Sequence, residues 1–167
     1  AVMRVMIETG ADVSVEDLGT VPAFVRESIA GLGLPGYKVL RWEPADPTLY
    51  PPLSVAMTGT HDTEPLAMWW ESLTTEERRR FGFESPVFSA VVRDGILARL
   101  YDAGSNLVLL PIQDVFGWRD RINDPATVGG VNWTFKLPWP ADRLDDVQEA
   151  RARRDQLRAW SMKHRRL

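Results

Sequence analysis

Short apolar runs alternate along this chain with stretches in which apolar residues recur at helical spacing. Residues 36–42, 53–57 and 106–111 are the runs, and with the short alternating stretch 12–15 they read as four strands; Leu107 to Pro111 is apolar without interruption. Residues 3–9 read as the end of a helix stopped by Gly10. A second helix follows, with Thr20 as its cap, Pro22 in its first turn, Phe24, Val25, Ile29 and Leu32 as its apolar face, and Gly31 and Gly33 as its stop. Residues 64–73 form a third helix, and Thr74 with Glu77 three residues on is a capping box for a short fourth one through Arg80. Ser85-Pro86 is expected to start another, in which Phe88, Val92, Ile96 and Leu100 repeat every four residues beside Val91.

Strands that are continuous apolar runs, separated by helices, indicate a parallel sheet covered on both faces, so the expected class is α/β. No repeat, low-complexity tract or linker divides residues 1–167, which are expected to form one unit. Residues 113–139 form a long loop rich in Asn, Gly, Pro and Trp, a length that in compact domains tends to accompany function.

Composition narrows the possibilities. The chain has no cysteine, which removes disulfides, cysteine nucleophiles and thiolate metal sites and fits a reducing cytoplasm. No apolar run approaches membrane-spanning length. The net charge of −3 is uneven, since residues 151–167 carry seven Lys or Arg against one Asp. That basic end does not indicate nucleic acid: Leu144, Val147, Ala150, Leu157, Trp160 and Leu167 fall on one helical stripe, so the arginines read as the solvated side of a docked terminal helix.

Candidate chemistry collects at the strand ends. In parallel α/β folds ligand sites lie beyond the C-terminal ends of the strands. Glu16 follows the first expected strand, and Thr58-Gly59-Thr60-His61-Asp62 follows the third, so both carboxylates belong to one edge, which the long loop also reaches. Two carboxylates facing a cleft with Trp, His and Asn suit glycosidic-bond chemistry, in which one carboxyl protonates the leaving oxygen and another supports an oxocarbenium-like centre. A His-rich metal site is the competing use, but the only other histidine, His164, lies in the terminal helix. Neither a phosphate-binding glycine motif nor a Gly-x-Ser-x-Gly elbow is present. Asp17 is expected to be a structural partner for a backbone amide or for Arg41, Trp69 and Trp70 to be core, and Gln113 to satisfy buried backbone groups.

Five ordered motifs carry a family resemblance. Val15-Glu16-Asp17-Leu18-Gly19, Gly33-Leu34-Pro35-Gly36-Tyr37-Lys38-Val39-Leu40, Thr58 to Asp62, Pro111-Ile112-Gln113-Asp114, and Asn123-Asp124-Pro125 with Asn132-Trp133 resemble, in this order, the C-terminal part of the amylomaltases. These are the 4-α-glucanotransferases, or disproportionating enzymes, of the α-amylase clan. The resemblance implies the C-terminal half of a (β/α)8 barrel, about four parallel strands with their helices plus a terminal helix. It makes Glu16 the general acid/base, Asp62 the carboxylate that stabilises the transition state, His61 a substrate contact, and Asn123, Asn132 and Trp133 part of a glucan-binding segment.

The expected activity is transfer of α-1,4-glucan segments between maltooligosaccharides with retention, in a cytoplasmic protein needing no metal or organic cofactor. The family's nucleophile sits in an Arg-x-Asp-His-type motif ahead of the acid/base, and no such motif occurs here. The chain alone is therefore expected to be inactive, and to pair through open strand edges with the missing N-terminal barrel half or with itself. A non-catalytic glucan-binding or structural module and a related α-glucan hydrolase are the alternatives.

Overall fold

A computed structural model describes residues 2–166. Among them three strands, β1 (Gly36–Val39), β2 (Ser54–Met57) and β3 (Leu107–Leu109), form one parallel sheet in the order β1-β2-β3. Tyr37 lies opposite Val55 and Val55 opposite Leu107; two residues along, Val39, Met57 and Leu109 are in line.

Where a further strand was expected at residues 12–15, the structure has a single parallel bridge, Val15 to Gly36. The cause is local. Asp17 Oδ1 accepts the Tyr37 N–H at 2.8 Å, so a carboxylate rather than another strand residue ends the pairing. Gly36 permits this approach, because a Cβ there would lie 2.9 Å from Asp17 Oδ1. Asp17 thus serves a backbone amide and not Arg41.

The helices are α1 (Val2–Glu8), α2 (Ala23–Gly31), α3 (Leu66–Ser72), α4 (Thr75–Arg79), α5 (Ala90–Tyr101), α6 (Ile112–Phe116) and α7 (Gln148–Lys163). The Thr74–Glu77 capping box forms at α4 with both reciprocal bonds. Thr20 does not cap α2, whose first residue follows Pro22 with no side-chain cap. Helix α5 starts later than expected, because Ser89 Oγ accepts the Val92 N–H, while the Ser85 carbonyl is taken by Trp70 Nε1. Helix α6 lies where the long loop was expected to begin. Pro111 precedes it and Gly117, at φ +80°, ends it, and five residues are too few for periodicity to show.

The main core lies on the α3/α5 side of the sheet, where Ala56, Leu66, Trp70, Val92, Ile96, Leu97 and Leu100 pack together. Trp70 is fully buried with Phe81 and Phe83 edge-on to its ring, a site where truncation to Ala costs about 3–5 kcal/mol. The opposite face is covered less completely. Val39, Val55 and Met57 pack under Leu18 and Tyr37, but Leu107 and Leu109 of β3 are more than half exposed.

Leu144 belongs to a 3-10 turn (Ala141–Asp146) ahead of α7, with Val147 between turn and helix, and Leu167 lies outside the described residues. Not all of the terminal arginines are solvated. Arg153 is buried against Asp94 at 2.9 Å, and the Arg166 guanidinium gathers the carbonyls of Tyr101, Ala103 and Ser105 at the end of α5. These contacts fasten α7 to the sheet-bearing body.

Candidate active site

Thr58 directly follows strand β2, and the polar groups around it are almost wholly enclosed. Thr58 Oγ1 donates to Asp114 Oδ2, and Asp114 Oδ1 accepts the Leu66 N–H at 2.6 Å. Arg41 Nε donates to the Thr58 carbonyl at 3.1 Å, and its guanidinium lies over the Trp69 ring at 5.1 Å. Burial pushes the Asp114 carboxyl up, opposed by the Leu66 amide, the Thr58 hydroxyl and the Arg41 charge. Burial likewise pulls Arg41 down, opposed by Asp114 and Glu64. A β-strand, α3 and α6 are thereby tied at one point beneath the His61-Asp62 turn.

The turn itself is closely packed. At Gly59 a Cβ would lie 2.4 Å from Thr63 Oγ1 and 3.0 Å from Arg41 Nη2, so only glycine fits. Thr63 Oγ1 accepts the Thr60 N–H at 3.0 Å, and Thr60 Oγ1 accepts the Asp62 N–H at 3.2 Å. Small hydroxylated residues replace the ladder bonds that end with the strand, and they fix the backbone from which His61 and Asp62 project.

The long loop supplies the other side. Asn123 Nδ2 donates to Asp62 Oδ1 at 2.6 Å, the Asn123 N–H donates to the His61 carbonyl at 3.1 Å, and Arg121 Nη2 donates to the Asp62 carbonyl at 3.1 Å. His61 Nε2 stands 3.3 Å from the same Asp62 oxygen. The Trp133 ring centre is 5.2 Å from that of His61, and Trp133 holds a left-handed φ of +62° with its N–H bonded to the Ile122 carbonyl. Asn132 turns inward to its own loop: Oδ1 accepts the Asp124 N–H, and Nδ2 reaches Thr127 and the Asp124 carbonyl.

Glu16 is exposed and lines a cleft of about 280 Å³ together with Tyr37, Met57, His61, Gln113 and Ile122. Of the six residues expected at the site, the structure therefore gathers His61, Asp62, Asn123 and Trp133 through direct contacts. It puts Glu16 on the wall of the cleft that His61 also lines, and it assigns Asn132 to loop bracing. Arg41, Asp114 and Arg121 were not anticipated in these positions; the signal was a charged residue near the end of an apolar run (Arg41), a few residues beyond one (Asp114) or within the Asn-rich loop (Arg121). Among the described residues no three His, Cys, Asp or Glu side chains are placed to hold a metal, and no helix is long and apolar enough to cross a membrane.

A parallel α/β sheet with a carboxylate-bearing cleft at the C-terminal ends of its strands defines the class of protein. The comparisons define the family. The model of the 4-alpha-glucanotransferase family matches residues 1–142, and this chain belongs to that family. It is 31% identical over 145 residues to a 4-alpha-glucanotransferase of Chlamydia caviae, covering 73% of this chain and 27% of that protein. It is 29% identical over 157 residues to the chloroplastic/amyloplastic 4-alpha-glucanotransferase of Solanum tuberosum, covering 87% of this chain and 27% of that one. In fold it is similar to amylomaltase from Streptococcus agalactiae in complex with acarbose, with a TM-score of 0.77 at 24% identity over 98% of this chain and 34% of the other. The chain thus spans 27% of the length of these two curated relatives.

Proposed function

We propose that this chain is the acid/base-bearing half of a (β/α)8 barrel that transfers α-1,4-glucan segments from donor to acceptor maltooligosaccharides. In this reading Glu16 protonates the departing glycosidic oxygen and then takes the proton of the incoming sugar hydroxyl. Asp62 accepts hydrogen bonds from the sugar at the reacting centre, and its charge favours the oxocarbenium-like transition state. Asn123 and the Thr60 hydroxyl hold Asp62 in place, so the carboxylate does not have to reorganise as charge develops. His61 and Trp133 form a wall for the sugar, and Arg121 with Asn132 keeps the loop that carries Trp133 closed on the turn.

The observation that carries this reading is the shared cleft. Glu16 comes from the segment that bridges to β1 and His61-Asp62 from the end of β2, yet Glu16 and His61 line one cavity. A retaining mechanism also needs a nucleophile about 5 Å from the acid/base, supplied by a segment bearing an Arg-x-Asp-His-type motif that these 167 residues do not contain. The exposed Leu107 and Leu109 on β3, the opposite edge of the sheet, suit closure by further strands of the barrel.

The test is to fuse the chain to the preceding residues of a related amylomaltase and follow conversion of maltotriose to glucose and longer oligomers. The fusion is expected to be active, the isolated chain inactive, and Asp62→Asn in the fusion reduced by about 10²-fold or more. Near-parental activity in Asp62→Asn would remove Asp62 from the site.

A further inference from the structure

Gln113 is buried to 2% exposure, yet neither Oε1 nor Nε2 of its side chain has a hydrogen-bond partner among the described residues. Its backbone is firmly held. Helix α6 contains it, and its carbonyl accepts both the Gly117 and Trp118 N–H groups at 2.7 and 2.8 Å. Gln113 lines the cleft that Glu16 and His61 line, and also a small recess that Thr60, His61 and Asp114 line. A buried carboxamide with both ends free is costly unless something completes it, and a carboxamide offers one acceptor oxygen and two donor hydrogens on adjacent atoms.

Neighbouring hydroxyls of a pyranose ring match that pattern, since one can donate to Oε1 while the next accepts from Nε2. The rest of the cleft suits the same ligand: Met57, Leu109, Leu110 and Ile122 offer apolar surface to the C–H face of a sugar, and polar groups are few. We infer that Gln113 is a sugar-recognition residue, its carboxamide held ready to bind two adjacent ring hydroxyls of the glucan unit that Glu16 and His61 face. This rests on the reading of the cleft as a glucan site, and it adds a specificity contact: a sugar lacking or inverting either hydroxyl would leave the buried amide unpaired.

The experiment is a maltotriose titration of this chain followed by NMR, which reads weak binding, on the parent and on Gln113→Met. In the parent the Gln113 side-chain amide, His61 and Trp133 resonances are expected to shift together along one saturation curve. Gln113→Met is expected to bind about tenfold more weakly, the size of one or two neutral hydrogen bonds, with an unchanged or raised thermal midpoint because an unpaired buried amide has been removed. Parental affinity in Gln113→Met overturns the inference while leaving the glucan site standing, provided His61 and Trp133 still respond. If Gln113→Met does not fold, the amide resonance in the parent decides, and a static amide beside moving His61 and Trp133 signals overturns the inference. If no cleft resonance moves at the highest soluble maltotriose concentration, the glucan reading of the cleft fails and the inference fails with it.

Discussion

The two carboxylates of the candidate site are held in opposite ways. Asp62 sits on a turn anchored below by Thr58, Asp114 and Arg41 and gripped from above by Asn123 and Arg121. Glu16 sits between Val15, which bridges to Gly36, and Asp17, whose carboxylate accepts the Tyr37 N–H, but its own side chain is exposed and makes no hydrogen bond among the described residues. The contrast matches the proposed roles. A group that stabilises developing charge gains from being fixed before the reaction, whereas a group that gives and later takes a proton must reach two different oxygens.

Removing the anchor is expected to have the largest effect on folding. Asp114→Ala leaves the Thr58 hydroxyl and the Leu66 amide buried without their acceptor and removes a negative charge that offsets the burial of Arg41, at a cost of about 2–5 kcal/mol in denaturant unfolding. A loss below 1 kcal/mol would show that this floor does not hold the turn. The same residue sets a pH dependence. Because burial raises the folded-state value above the ordinary 3.8, the folded chain keeps a proton that the unfolded chain has released, so stability falls as pH rises from about 3.8 through the raised value. Asp114→Asn is expected to flatten that slope in unfolding curves taken across the window.

Gly59→Ala should come next. Its Cβ meets Thr63 Oγ1 and Arg41 Nη2, and relieving that contact disturbs the Thr60–Thr63 bonds, for a loss of about 1–3 kcal/mol. Asn123→Ala acts only on the upper grip. Its cost to folding is about 1 kcal/mol, but it frees the Asp62 carboxylate, so transfer activity in the fused enzyme should fall further than stability does. Equal proportional losses would indicate that Asn123 only staples the loop. The smallest effect on folding belongs to Glu16→Gln, expected within about 0.5 kcal/mol of the parent because the residue is exposed.

How much of this was legible in the sequence follows the same division. Strand β2, the α4 capping box and the Val92-Ile96-Leu100 face of α5 were readable, because local periodicity and capping chemistry decide them. The floor was not. Thr58 and Asp114 are 56 residues apart, Arg41 read as one more strand residue, and α6 is a single five-residue helix between Pro111 and Gly117. The segment before Glu16 misled for a related reason. Its alternating residues look like a strand, but the Asp17 side chain takes the amide that would extend the pairing. In the loop, Asn123, Asn132 and Trp133 could be named only through family resemblance; their contacts with Asp62, Asp124 and His61 depend on how the loop closes.

The most direct test of the account is the transfer rate of the fused enzyme carrying Glu16→Gln. A glutamate with an exposed side chain that serves as the proton shuttle predicts a loss of about 10²- to 10⁴-fold in maltotriose disproportionation, with folding stability unchanged. A Glu16→Gln enzyme that retains the parental rate within a few-fold would contradict it.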